Sequence, residues 1–144
     1  MPDTTAIGNI SEAHVLLALV EAGYTILKPF GDGCKYDFVI DDGSVLQKVQ
    51  CKTGRLKNGC VVFNSYSVAG NSNGKRQGYM GLAGLFAVYC PMNGQVYLVP
   101  VADVGVGGVL LRVEPTQNSQ QRRVRWAGQY ALMPVVQSDN NMRV

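Results

Sequence analysis

The chain has 144 residues, 47% apolar and 16% charged, which is enough for a packed core and excludes a disordered chain. No apolar run reaches the ~18 residues of a membrane span, and the start, MPDTTAIGNI, has no basic stretch followed by an apolar one, so neither an anchor nor a secretory signal is expected. The net charge of +3 is too small to argue for nucleic acid by itself.

Residues 11–22, SEAHVLLALVEA, predict a helix: Leu16, Leu19 and Val20 recur at helical spacing, Asn9 or Ser11 can cap it, and Gly23 stops it. TILKPF reads as a strand ended by Pro29, followed by the loop GDGCK. KYDFVI (35–40) and SVLQKVQCKT (44–53) form a hairpin around Asp42-Gly43, a strong turn dipeptide. GCVVFNS (59–65) is a further strand, and SVAGNSNGKRQG (67–78) is a polar loop. LFAVYC (85–90) and QVYLVP (95–100) pair as a second hairpin. VLLRV (109–113) is a last strand, and VRWAGQYAL is a strand or a short helix with Trp126 as a core residue. No repeat or linker interrupts the chain, so a single domain over 1–144 is expected, an α+β or α/β sandwich.

Cysteines 34, 51, 60 and 90 contain no CxxC pair and are accompanied by one histidine, His14, which excludes zinc and haem sites. Buried free thiols are expected, as in a reducing cytoplasm. Charge is uneven: residues 1–62 carry seven acids against six bases, and residues 63–144 carry three acids against seven bases.

A two-residue turn at Asp42-Gly43 pairs Ile40 with Val45 and Asp37 with Lys48. Alternation then gives an apolar face of Tyr36, Phe38, Ile40, Val45, Val49 and Cys51, with Gln47 the exception. The other face carries Lys35, Asp37, Val39, Leu46, Lys48, Gln50 and Lys52. Asp37, Gln50 and Lys52 therefore gather across one ladder. Glu12 falls on the stripe of Leu16, Leu19 and Val20, where a carboxylate needs a compensating cation or metal. The alternative is a first-turn acid that complements the helix dipole and bends out to water.

A helix with Glu12, then Y-D-F-V-I with Asp37, then V-Q-C-K-T-G with Gln50 and Lys52, resembles the PD-(D/E)XK nuclease superfamily. Within it the chain is similar to small intron-encoded homing endonucleases, whose second motif is Q-x-K. The stretches GDGCKYDFVI, KVQCKTGRLKNG, FAVY and VYLVPV carry the likeness over residues 8–113. The resemblance implies a restriction-endonuclease-like core, with a mixed, mostly antiparallel sheet flanked by helices. It also implies site-specific, Mg²⁺-dependent hydrolysis of double-stranded DNA, with Mn²⁺ able to substitute. Asp37, Glu12 and the backbone carbonyl of Cys51 would hold the metal, and Lys52 would orient or activate water. Gln50 departs from the usual acid, offering an oxygen without charge, and Gly84 stands where relatives often have an acid. Lys35, Lys48, Arg55, Lys57, Lys75, Arg76, Arg122, Arg123 and Arg125 would meet the DNA. One site per chain implies a homodimer or homotetramer, in the cytoplasm and away from membranes. Two readings on the same fold compete: a structure-selective nuclease resembling Holliday-junction resolvases, and a catalytically inactive DNA-binding module.

Overall fold

The computed structural model describes residues 3–68, 76–116, 118 and 123–136. In chain order the elements are helix α1 (Thr4–Glu21) and strands β1 (Thr25–Leu27), β2 (Phe38–Asp41), β3 (Leu46–Thr53), β4 (Arg55–Lys57) and β5 (Cys60–Asn64). They continue with β6 (Ser67–Val68), β7 (Arg76–Gln77), β8 (Leu85–Cys90), β9 (Gln95–Pro100) and β10 (Gly108–Arg112). Among the described residues no helix is long and apolar enough to cross a membrane.

α1 starts seven residues earlier than its pattern predicts. Asp3 is its cap, its carboxylate accepting the Ala6 N–H at 2.7 Å, rather than Asn9 or Ser11. Gly8 and Asn9, poor helix formers, hide this first stretch from a propensity reading. The buried stripe is Ser11, Val15 and Leu19, and Val20 points outward. The inward arc is thus rotated from the expected one, and Glu12 sits at its edge, half-buried.

Five strands make the main sheet in the order β1-β2-β3-β8-β9, with β3 and β8 parallel and the other neighbours antiparallel. α1 covers one face through Val15 and Leu19, which pack with Phe38, Ile40, Val49, Ala87, Tyr89 and Val96. The other face is covered by a second antiparallel sheet, β10-β5-β4, rather than by another helix. Between the two sheets lies a core that includes Val61, Phe63, Tyr79, Phe86, Val88, Val99 and Leu111. Strand β8 serves both cores by alternation, which explains why LFAVYC is apolar throughout.

The β2–β3 register differs from the expected one by two residues. Ile40 pairs with Gln47, Val39 with Lys48 and Phe38 with Val49. Asp42 is the cause: its Oδ1 accepts the N–H groups of Ser44 and Val45 and the Ser44 hydroxyl, so the connection takes in Ser44 and Val45, and Val45 is exposed. A slip of two leaves every side chain on its expected face. Tyr36 and Asp37 are the exceptions, because the ladder begins only at Phe38: Tyr36 packs on the inter-sheet core, opposite Phe38, and the Asp37 carboxylate turns to the Cys51 N–H.

β3 passes into β4 at Gly54, where the chain crosses from one sheet to the other. A Cβ there would lie 2.7 Å from Val61 Cγ1 and 3.0 Å from Val88 Cγ1. Gly54→Ala is therefore expected to destabilise the fold by about 1–3 kcal/mol through overpacking. A urea midpoint unchanged from the parent protein would refute that close approach.

The free cysteines follow expectation in part: Cys60 and Cys90 are buried, Cys51 is half-buried and Cys34 is exposed. Trp126 is only partly buried, next to the single 3-10 turn of Ala127–Gln129 that this segment forms.

Candidate active site

Three groups from separate elements meet at one end of the β2–β3 ladder. Glu12 extends from α1, Asp37 stands just before β2, and Cys51 lies within β3. One carboxylate oxygen from each acid and the Cys51 thiol fall within 4.8 Å of one another. Asp37 is fixed to β3 twice: its N–H donates to the Val49 carbonyl at 2.8 Å, and its Oδ2 accepts the Cys51 N–H at 2.7 Å. Burial lifts the Asp37 pKa above the ordinary carboxylate value. The Cys51 N–H opposes the shift, and the charge of Glu12 adds to it. Burial and both carboxylates push the Cys51 thiol up as well, holding it protonated at neutral pH.

Glu12 has the compensating cation its position requires. Lys28 Nζ lies 2.8 Å from its Oε2 and 5.9 Å from the centre of the Phe38 ring. Sequence gives no hint of this partner, since the two residues meet only because β1 and α1 pack on the same sheet. Ser11, one residue before Glu12, is buried, and its hydroxyl shares a 2.6 Å hydrogen bond with that of Thr53, pinning α1 to the end of β3.

Lys52 points to the opposite side of the sheet from Cys51, as alternation demands. Its Nζ donates to the Tyr66 carbonyl at 3.0 Å and lies 4.8 Å and 6.0 Å from the Tyr79 and Phe86 ring centres. Burial lowers its pKa, and the field of Asp37 opposes that shift. Among the described residues no ion pair joins Lys52 to Asp37. Gln50 shares the Lys52 face and lies opposite Phe86 in the parallel ladder. The arrangement is thus a pair of half-buried carboxylates at the end of the β2–β3 ladder, with a desolvated lysine one residue from their shared thiol neighbour.

The sequence pattern of PD-(D/E)XK endonucleases matches residues 2–133. The chain belongs to this family. No curated protein sequence matches it. Among solved structures it is similar to a bacterial homing endonuclease, I-Ssp6803I, at 25% identity and a TM-score of 0.70, covering 90% of this chain and 89% of that one.

In this PD-(D/E)XK endonuclease the expected cationic residues divide into separate groups. Lys48 lies on the Lys52 face, its Nζ 5.4 Å from the Tyr36 ring centre, and Lys35 is exposed in the loop before β2. Arg76, on β7, stacks over Tyr66 at 4.3 Å. Arg55 and Lys57 point outward from β4, away from the inter-sheet core. Arg123 and Arg125 line a groove of about 930 Å³ together with Arg112, which sequence reasoning passed over. Arg112 Nη1 donates to the Asn58 carbonyl, and Arg125 Nη2 donates to the Asp103 carbonyl. Lys75 and Arg122 lie outside the described residues. His14, given no role, stacks flat on Tyr89 at 4.2 Å.

Proposed function

We propose that the chain is a homing-type, site-specific endonuclease that hydrolyses phosphodiester bonds in double-stranded DNA with Mg²⁺, folded as one nuclease domain over residues 1–144. The observation that carries this reading is the meeting of the Glu12 and Asp37 carboxylates in a chain of the PD-(D/E)XK family.

The donor set fits a hard dication. Two carboxylates supply anionic oxygens; burial first, and the charge of Glu12 after it, raise the Asp37 pKa, and a bound cation would offset both. Cys51 would contribute its backbone carbonyl, because a protonated thiol is a poor match for Mg²⁺. When bound, the metal lowers the pKa of a coordinated water and stabilises charge on the scissile phosphate, with Mn²⁺ able to do the same.

Lys52 would orient the attacking water and place its Nζ against the developing phosphate charge. Burial lowers its pKa, and the charge of Asp37 opposes that shift, so proton exchange with that water would be easier than for an exposed lysine. Gln50, with an uncharged amide, would position rather than neutralise. Lys35, Lys48, Arg55, Lys57, Arg76, Arg123 and Arg125, with Lys75 and Arg122, would contact the duplex. One acidic cluster per chain cuts one strand, so double-strand cleavage calls for a homodimer or homotetramer. Four free thiols suit a reducing cytoplasm.

The test offers long duplex DNA and a four-way junction to the protein, each with Mg²⁺ and with EDTA. Discrete duplex fragments that appear only with Mg²⁺ are the expected result. Symmetric cutting of the junction alone would transfer the chain to the resolvase class, and DNA binding without cleavage under any divalent ion would make it an inactive binding module.

A further inference from the structure

We propose that Tyr66 and Arg76 form a positioning device that ties DNA engagement at the β6–β7 ribbon to the placement of Lys52, an inference that rests on the endonuclease reading above. Apart from Phe86, the groups that fix the Lys52 ammonium come from one short stretch of chain. The Tyr66 carbonyl accepts its hydrogen bond at 3.0 Å, and the Tyr79 ring lies 4.8 Å away. Tyr79 in turn makes a side-chain hydrogen bond with Ser67, the first residue of β6.

This stretch also carries an exposed arginine, Arg76. Among the described residues β6 and β7 pair at Ser67 with Gln77 and Val68 with Arg76, which places Tyr66 and Arg76 at neighbouring positions of one ribbon. The Arg76 guanidinium lies 4.3 Å over the Tyr66 ring, and Arg76 is exposed. A guanidinium stacked flat on an aromatic face keeps its edge N–H groups free to take a phosphate in bidentate fashion. A phosphate held by Arg76 therefore restrains Tyr66, and the carbonyl of that residue holds Nζ. Binding would complete the alignment of Lys52, so the amine is placed correctly when DNA is present and less well without it.

The test measures single-turnover cleavage at saturating duplex with Mg²⁺, and duplex affinity in EDTA, for the parent, Arg76→Ala, Tyr66→Leu, Tyr66→Phe and the Arg76→Ala/Tyr66→Leu double variant. Arg76→Ala and Tyr66→Leu should each slow the saturated rate by about tenfold, a loss typical of sub-ångström misplacement. The double variant should be no slower than the slower single variant, and Tyr66→Phe, which keeps the ring, should match the parent. If Arg76 were only a phosphate contact, Arg76→Ala would weaken binding and leave the saturated rate unchanged. That result, or multiplicative losses in the double variant, overturns the inference. Should thermal melting show that Tyr66→Leu unfolds, exposed Arg76 decides alone through Arg76→Ala against Arg76→Lys. A parent protein that cuts no duplex removes the endonuclease reading itself, whereas a parent that cuts and an Arg76→Ala variant that cuts equally fast remove only the positioning role.

Discussion

Asp37→Asn is expected to reduce duplex cleavage by a factor of about 10³ or more while leaving the fold intact, since loss of a single well-placed electrostatic group costs about 10²–10³ and Asp37 also supplies anionic ligation. The amide keeps an oxygen in place to accept the Cys51 N–H, now at 2.7 Å, so the link to β3 survives. What disappears is the charge. That charge has a structural cost, because burial raises the Asp37 pKa above its unfolded value. A raised carboxyl pKa contributes stability below the unfolded value, near 3.9, and the contribution is lost as pH rises through the folded value. At neutral pH with chelator present, Asp37→Asn should therefore melt at or above the temperature of the parent, and the difference should vanish at about pH 3 where both forms are neutral. Cleavage within tenfold of the parent would exclude Asp37 from the reaction. A variant that melts lower at neutral pH would mean that the carboxylate is there to hold the fold.

Phe86→Ala is the second large effect and acts on stability. Phe86, the second residue of β8, is fully buried and meets Phe63 at 5.6 Å and Tyr79 at 5.5 Å, both edge-on. Emptying such a site costs about 3–5 kcal/mol, and the lost edge-to-face pairs add to it. A domain with about 5–15 kcal/mol in total would be left near its threshold. Phe86→Leu, closer in volume, should cost far less and permit a kinetic reading, since the ring also forms part of the surface beneath Lys52. Urea denaturation measures both variants. A Phe86→Ala loss below ~1 kcal/mol would mean that the inter-sheet core closes over the gap, contrary to its dense packing.

The acidic cluster shows how sequence and fold share the specification. Period-two alternation places Gln50 and Lys52 on one side of β3 and Cys51 on the other, and the structure keeps that division. Alternation holds because it is a local property of an extended backbone, unaffected by a register slip of two. The slip itself was not legible: whether Asp42-Gly43 closes in two residues or draws in Ser44 and Val45 depends on where the Asp42 carboxylate finds its donors. Asp37 illustrates the same limit. Alternation assigns it to the Lys52 face, yet it lies just outside the ladder, and its carboxylate turns to the Cys51 N–H and Glu12.

By itself the sequence determined the strands β8 and β9 to the residue, the nuclease-like order of Glu12, Asp37, Gln50 and Lys52, and the sidedness of β3, because each depends on neighbours close in the chain. Only the tertiary structure decided the parallel β3–β8 pairing, the second sheet that replaces a flanking helix, the Lys28 partner of Glu12, and the seat of Lys52 on Tyr66 and Tyr79. These are contacts between residues distant in sequence, formed where two apolar faces exclude water together, and no local pattern encodes which distant side chain will be there when they close.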